Sequence, residues 1–230
     1  MINKTHITDI FFDLDHTLWD FEANSFATFN QILSHHNFSF ETATFMEAYS
    51  PINHAYWKLY RENKITTEEL RFVRLQKTFE AIKQPQKTAM INELSQAYIN
   101  QLSTHTHVFE GTIELLEYLQ PNYRLHIITN GFENVQQKKM LNAGLAPYFD
   151  IVLTAEKAGV KKPHPDIFEQ ALSMAQTTAS KSLMIGDSYE ADISGAIALG
   201  MQAIQFNSHN EPWHDHCPVV DNLAEIQQYL

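Results

Sequence analysis

Five short apolar runs constrain the fold of this chain more than any other feature. They occupy residues 7–12, 124–129, 150–154, 182–185 and 201–206. The first, ending Ile-Phe-Phe just before Asp13, is mostly apolar at both parities. A strand of that kind must be covered on both faces, as inside a parallel sheet. Helical patterns alternate with the later runs. Residues 132–143 stop at Gly144, residues 166–175 start after Pro165, and residues 191–199 stop at Gly200. Proline suits the first turn of a helix, and glycine the position just past its last turn. Alternation at this spacing predicts an α/β fold, a doubly wound parallel sheet with right-handed crossovers.

The first connection breaks that rhythm, because residues 13–123 separate the first run from the second. Most of the stretch reads helical. Phe26, Phe29, Ile32 and Leu33 recur at helical spacing, as do Tyr56, Leu59 and Tyr60. Thr66 followed by Glu69 reads as a capping box opening a helix through Lys83, and residues 86–102 form another candidate. Structureless loops of this length are uncommon in a packed domain. The pattern therefore predicts a Rossmann-like α/β core from residues 1–19 and 106–230, with an all-helical cap inserted at 20–105. A helix at 114–119 would return the chain to the sheet.

Composition narrows the partners. The chain has 27 acidic and 16 basic side chains, a formal charge of -11. Polynucleotide binding needs a basic face, which this balance argues against. A small anion in a local positive pocket remains compatible. No apolar run approaches the roughly 18 residues that span a bilayer. The first residues lack a signal peptide's basic-then-apolar design. Cys217 is the single cysteine, so no intramolecular disulfide can form. The expectation is a cytoplasmic protein with no polynucleotide or membrane partner, its oligomeric state open.

The polar residues that follow the runs point to chemistry. Asp13-Leu14-Asp15-His16-Thr17 leaves the first strand, Thr129-Asn130-Gly131 the second, and Gly186-Asp187-Ser188 the fourth, with Asp192 shortly beyond. Lys161-Lys162-Pro163 precedes the helix between the third and fourth. Ligands of open α/β sheets bind at the carboxyl ends of the strands, so these distant stretches meet at one edge. Taken singly, each is ordinary: an Asp-x-Asp is often a solvated turn, and a lone lysine is usually at the surface. Converging carboxylates repel one another unless a cation shares their site. A hard oxygen donor set favours Mg²⁺ over Zn²⁺. A lysine, a threonine hydroxyl and loop N–H groups beside it would hold a phosphate. A phosphate held beside a carboxylate invites nucleophilic attack by it.

Four motifs in this order, DLDHT at 13–17, TN at 129–130, KP at 162–163 and GDSYEAD at 186–192, resemble the haloacid dehalogenase superfamily of Mg²⁺-dependent phosphatases. The segment FFDLDHTLWDFEANS with its helical insert looks most like the noncanonical pyrimidine 5′-nucleotidases. The resemblance implies a phosphomonoester hydrolase working through an aspartyl-phosphate. Asp13 would be the nucleophile, and Asp15 the acid and then the base. Asp13, the Asp15 carbonyl and Asp187 would hold Mg²⁺. Asp192 would orient the metal's water and Lys162 from behind. Thr129, Asn130 and Lys162 would hold the phosphate of a small soluble ester, with Lys161 left solvated. A nucleoside 5′-monophosphate with a pyrimidine base is the expected substrate, with phosphoglycolate or a sugar phosphate as the alternative. A non-catalytic phospho-acceptor domain would use similar groups, but Asp15 suits turnover better than a stored acyl phosphate.

The insert is expected to act as a lid that excludes water. Trp19, Phe21, Tyr49, Tyr56, Trp57 and Tyr60 are its candidates for stacking on a base, with Trp19 and Phe21 nearest the first motif. His209, His214, His216 and Cys217 match no zinc spacing, and their stretch reads as a polar loop after the last strand.

Overall fold

The computed structural model describes residues 2–36 and 38–230. By backbone contacts the chain divides into two units, Met1–Phe21 with Thr106–Leu230, and Glu22–His105.

The first unit is built on parallel strands: β1 (Asp9–Phe12), β2 (Arg124–Thr129), β3 (Ile151–Thr154), β4 (Ser182–Gly186), β5 (Gln202–Phe206) and β6 (Val219–Val220). Among the described residues they form one six-stranded sheet in the order β3-β2-β1-β4-β5-β6. Every pairing is parallel, with Phe12 opposite Ile127 on one side and Ile185 on the other. The order reverses at β1, so the crevice at its carboxyl end is where such a sheet binds ligands. Both faces of β1 are buried, as its doubly apolar sequence requires. On one face Phe11, Ile128, Leu153 and Met184 pack with Ile167, Phe168 and Ala171 of the helix α8 (Pro165–Met174) and with Ala196 and Met201.

Two features depart from the sequence reading. The strand β6 was not expected, because two residues are too short to show a period. The helix expected over 191–199 begins as a π turn at Tyr189–Ile193 and becomes α-helical only over Ser194–Ala198. Such widened turns occur often at functional sites.

The chain leaves and re-enters this unit along adjacent stretches. Trp19 bridges Val108, Phe109 N–H donates to Leu18 O at 3.0 Å, and Asp20 N–H donates to His107 O at 3.1 Å. Two crossings stitched side by side let a whole domain be inserted without disturbing the sheet.

The second unit contains α1 (Phe21–His35, which begins in the first unit), α2 (Thr42–Arg61), α3 (Thr67–Ala81) and α4 (Thr88–Gln101). Thr66 and Glu69 form both hydrogen bonds of the capping box that starts α3. Phe29, Phe45, Tyr49, Phe79 and Tyr98 fill the interior with tilted, stacked and edge-on ring contacts. Arg74 is buried beside them, donating to Asn53 Oδ1 at 2.7 Å and lying over the rings of Tyr49 and Tyr98. No described helix is long and apolar enough to cross a membrane.

Candidate active site

Asp13 stands one residue past β1, with its backbone N–H donating to Ile185 O of β4. The chain then turns back on itself: Leu18 and Trp19 N–H groups both donate to Leu14 O, and Asp15 bridges Trp19. His16 takes a left-handed conformation (φ 63) at the tip, and Ser208 Oγ donates to its carbonyl at 2.8 Å. That turn fixes Asp13 and Asp15 while sending their side chains to different partners.

Lys162 is 1% exposed, and its ammonium meets Asp13 Oδ1 at 2.5 Å, Asp192 Oδ1 at 2.6 Å and Ile128 O at 2.7 Å. It reaches this point because Asn130 grips its backbone twice. Asn130 Oδ1 accepts from Lys162 N–H at 2.8 Å, and Asn130 Nδ2 donates to Lys162 O at 3.0 Å. The Asn130 side chain thus fastens the lysine loop to the end of β2. Lys161 is half-buried beside it, and the Lys162–Pro163 bond is cis.

Asp187 follows β4 and accepts from Thr17 Oγ1 at 3.2 Å and from His209 Nε2 at 3.2 Å. Asp192 returns from the π turn, and its Oδ2 accepts from Ser188 N–H at 3.1 Å. Gly186 makes room for it, since a Cβ there would lie 2.4 Å from Asp192 Oδ2. Asp13, Asp187 and Asp192 are all buried, and each offers an oxygen within 4.8 Å of the others. One ammonium is therefore divided between Asp13 and Asp192, with Asp187 close by. Burial pushes Asp13 well above the ordinary carboxylate range; Lys162 opposes this, and Asp192 and Asp187 add to it. Burial likewise raises Asp192. At Asp187 burial acts the same way, but His209, His16 and Lys162 outweigh it and hold the carboxyl low. An all-oxygen, charge-deficient cluster fits a hard divalent cation.

Thr129 is buried at the end of β2, and its hydroxyl oxygen accepts from Gly131 N–H at 3.1 Å and Gln136 Nε2 at 2.8 Å. Asp15 lies apart from the three clustered carboxylates. Its side chain accepts from Lys139 Nζ at 2.5 Å and Gln136 Nε2 at 2.9 Å. Both donors come from α6 (Glu133–Asn142).

Not every expected residue is presented to a ligand. Trp19 is 0% exposed, with Lys139 Nζ 4.1 Å from its ring centroid, so neither face is free to stack on a base. Phe21 is 5% exposed and lies 5.4 Å from the same ammonium. Tyr49 and Tyr60 are buried in the helical unit, while Tyr56 and Trp57 are half-buried.

Sequence reasoning passed over Lys139 and Gln136, and set His209 aside as part of a polar loop. The first two share the buried face of α6 with Val135 and Met140. A lysine and an amide at core spacing after a Thr-Asn-Gly turn were the available signal. His209 reaches Asp187 from the polar loop, and its ring packs 4.3 Å from that of His16. Loop conformation carries no periodicity, so nothing in the sequence pointed there.

Residues 10–206 match the model of the haloacid dehalogenase-like hydrolase family. The pyrimidine 5′-nucleotidase YjjG of Escherichia coli is 32% identical over 226 residues, covering 96% of both chains. The pyrimidine 5′-nucleotidase PynA of Streptococcus pneumoniae is 32% identical over 223 residues, covering 96% of this chain and 92% of its own. Among solved structures, the magnesium-bound HAD hydrolase YfnB of Bacillus subtilis superposes with a TM-score of 0.86 at 25% identity, covering 97% of this chain and 98% of that one. With a family model spanning residues 10–206, from β1 through β5, and relatives 32% identical over 96% of the chain, the chain belongs to the haloacid dehalogenase-like hydrolases.

Proposed function

We propose that this protein is a Mg²⁺-dependent phosphomonoester hydrolase acting on pyrimidine nucleoside 5′-monophosphates through an aspartyl-phosphate. The carrying observation is the buried Asp13, faced by Lys162 and Asp187, with Asp15 two residues on and held by donors of its own. The two nucleotidases at 32% identity support the substrate class, and the magnesium in YfnB supports the ion.

In this reading an Asp13 oxygen attacks phosphorus in line with the ester oxygen. As the ester P–O bond breaks, Asp15 gives its proton to the departing alkoxide. Thr129, the Asn130 N–H and Lys162 hold the phosphoryl oxygens, whose charge spreads in the transition state. Asp15, now a carboxylate, takes a proton from the water that attacks the acyl phosphate. Inorganic phosphate leaves, and Asp13 returns as a carboxylate. Mg²⁺ held by Asp13, the Asp15 carbonyl and Asp187 would supply the positive charge that lets one anion approach another. Asp192 anchors Lys162 from behind, at 2.6 Å.

The test is phosphate release from UMP and dTMP against AMP, phosphoglycolate and glucose phosphates, with Mg²⁺ present. The pyrimidine nucleotides are expected to lead, EDTA to silence the reaction and Mg²⁺ to restore it. Asp13→Asn should keep the fold and lose at least about 10³-fold in kcat, as loss of a nucleophile does elsewhere. Near-normal turnover by that variant would overturn the covalent mechanism.

A further inference from the structure

Lys139 and Gln136 flank the Asp15 side chain, one on each carboxylate oxygen. They stand three positions apart on α6 and so share one face. Lys139 donates to Asp15 Oδ1 and Gln136 to Oδ2, at 2.5 and 2.9 Å. Both donors are buried: the Lys139 side chain is 2% exposed and Gln136 0%. A lysine shut in so far from water needs compensation. The Asp15 carboxylate supplies it, and while Asp15 carries its proton the ring faces of Trp19 and Phe21, 4.1 and 5.4 Å away, remain to do so. The Gln136 amide is fixed as well, because the same nitrogen donates to Thr129 Oγ1 at 2.8 Å. Gly131 leaves the space for it, since a Cβ there would lie 2.4 Å from that nitrogen. A surface ion pair wanders among rotamers, whereas this one is pinned on both sides.

We infer that Lys139 is a positioning residue for Asp15: together with Gln136 it sets the direction in which the Asp15 carboxyl faces the leaving-group oxygen. This inference rests on the reading of Asp15 as general acid and base. Each carboxylate oxygen has two lone-pair directions, so one donor on each leaves a direction open for the transferred proton. Lys139 keeps its own protons throughout; the proton moves from Asp15 to the ester oxygen, and later from water to Asp15. Proton transfer is efficient only when donor and acceptor are already in line, which a rigid helix face ensures.

The leaving group provides the test. A nucleoside alkoxide needs a proton as it departs, and p-nitrophenolate does not. Values of kcat/KM for UMP and p-nitrophenyl phosphate report steps through that departure, in the intact protein with Mg²⁺. Asp15→Asn should lower the value for UMP far more than that for the aryl ester. Lys139→Met should do the same to a lesser degree, about 10- to 100-fold on UMP, the usual cost of losing an orienting partner, with a much smaller loss on the aryl ester. Lys139→Gln, which keeps a polar head in the slot, is measured beside it, so the ratio stays readable if the methionine variant folds poorly. Equal losses on both esters in the folded Lys139 variant, with Asp15→Asn still discriminating, would sink the positioning role and leave the Asp15 assignment standing. An Asp15→Asn variant that treats both esters alike would remove the assignment itself, and this inference with it.

Discussion

Gly186→Ala tests whether the geometry behind Lys162 matters to turnover. The added Cβ would lie 2.4, 2.5 and 2.6 Å from Oδ2, Cγ and Cβ of Asp192, where ordinary contact begins at 3.4 Å. These are not the far atoms of a flexible chain, so Asp192 as a whole must retreat by about 1 Å, a misplacement that can cost on the order of 10²-fold in rate. Asp192 Oδ1 holds the ammonium that also meets Asp13, so its retreat loosens the lysine at the nucleophile. Overpacking of this kind destabilises by roughly 1–3 kcal/mol. Gly200→Ala is the matched control. Its φ of +85 strains any side chain, yet a Cβ there meets nothing within 4 Å, so it should cost about 1–2 kcal/mol with no effect on the site. Phosphate release from UMP and thermal melts of both variants decide the matter. Similar melting losses with a large kcat/KM loss only in Gly186→Ala are expected. Activity within threefold of the parent in that variant would refute the argument.

Two other perturbations probe charge. Lys162→Met leaves buried Asp13 and Asp192 without their shared cation, which should cost about 3–5 kcal/mol; urea melts should show this in EDTA and show less of it in Mg²⁺, and a variant as stable as the parent in EDTA would contradict the charge ledger. His126 is buried against Asp9 at 2.9 Å, and burial holds its pKa below the ordinary value. Below about pH 6.5 the unfolded chain therefore takes up a proton at this site that the folded chain refuses. Stability from this group is complete above that pH and is lost as pH falls toward the lowered folded value. His126→Gln should flatten the fall in urea midpoint between pH 7.5 and 5.5, and an unchanged slope would show that His126 does not titrate as described.

How much of this was legible in the sequence depended on period and order. Strands β1 to β5 announced themselves because a strand covered on both faces is mostly apolar at both parities, as in the fully buried Asp9–Phe12 and Ser182–Gly186. The insertion was visible as a change from strand spacing to helical spacing. Residues meeting at the carboxyl ends could be named because sheet topology, not side-chain detail, brings them together. What stayed hidden was set by side-chain reach. The double grip of Asn130 on the Lys162 backbone, and the approach of Asp192 over Gly186, depend on loop shapes that no pattern encodes. The burial of Trp19 and Phe21 was hidden in the same way. Aromatic residues beside a motif suggested a stacking surface, and the structure buries them under Lys139 instead.

The strand β1 carries its own control for what marks a reactive carboxylate. Asp9 opens the strand and Asp13 follows its end, and both are buried. Burial raises the pKa of each. At Asp9 that effect is overcome by hydrogen bonds from Thr8 at 2.6 Å and His126 at 2.9 Å and an ion pair with Arg124 at 2.7 Å, so the group lies below its ordinary value. At Asp13 one ammonium is divided between two carboxylates, a third stands close by, and the group lies well above. Burial is therefore common to the structural aspartate and to the proposed nucleophile. The difference is that the residues around Asp9 complete its charge, whereas those around Asp13 leave a deficit that a proton or an added cation would fill. An isolated acidic core residue would have been satisfied by its neighbours or replaced by an apolar one. A cluster left unsatisfied at the switch point of the sheet is the feature on which the proposed ion, phosphate site and nucleophilic step rest.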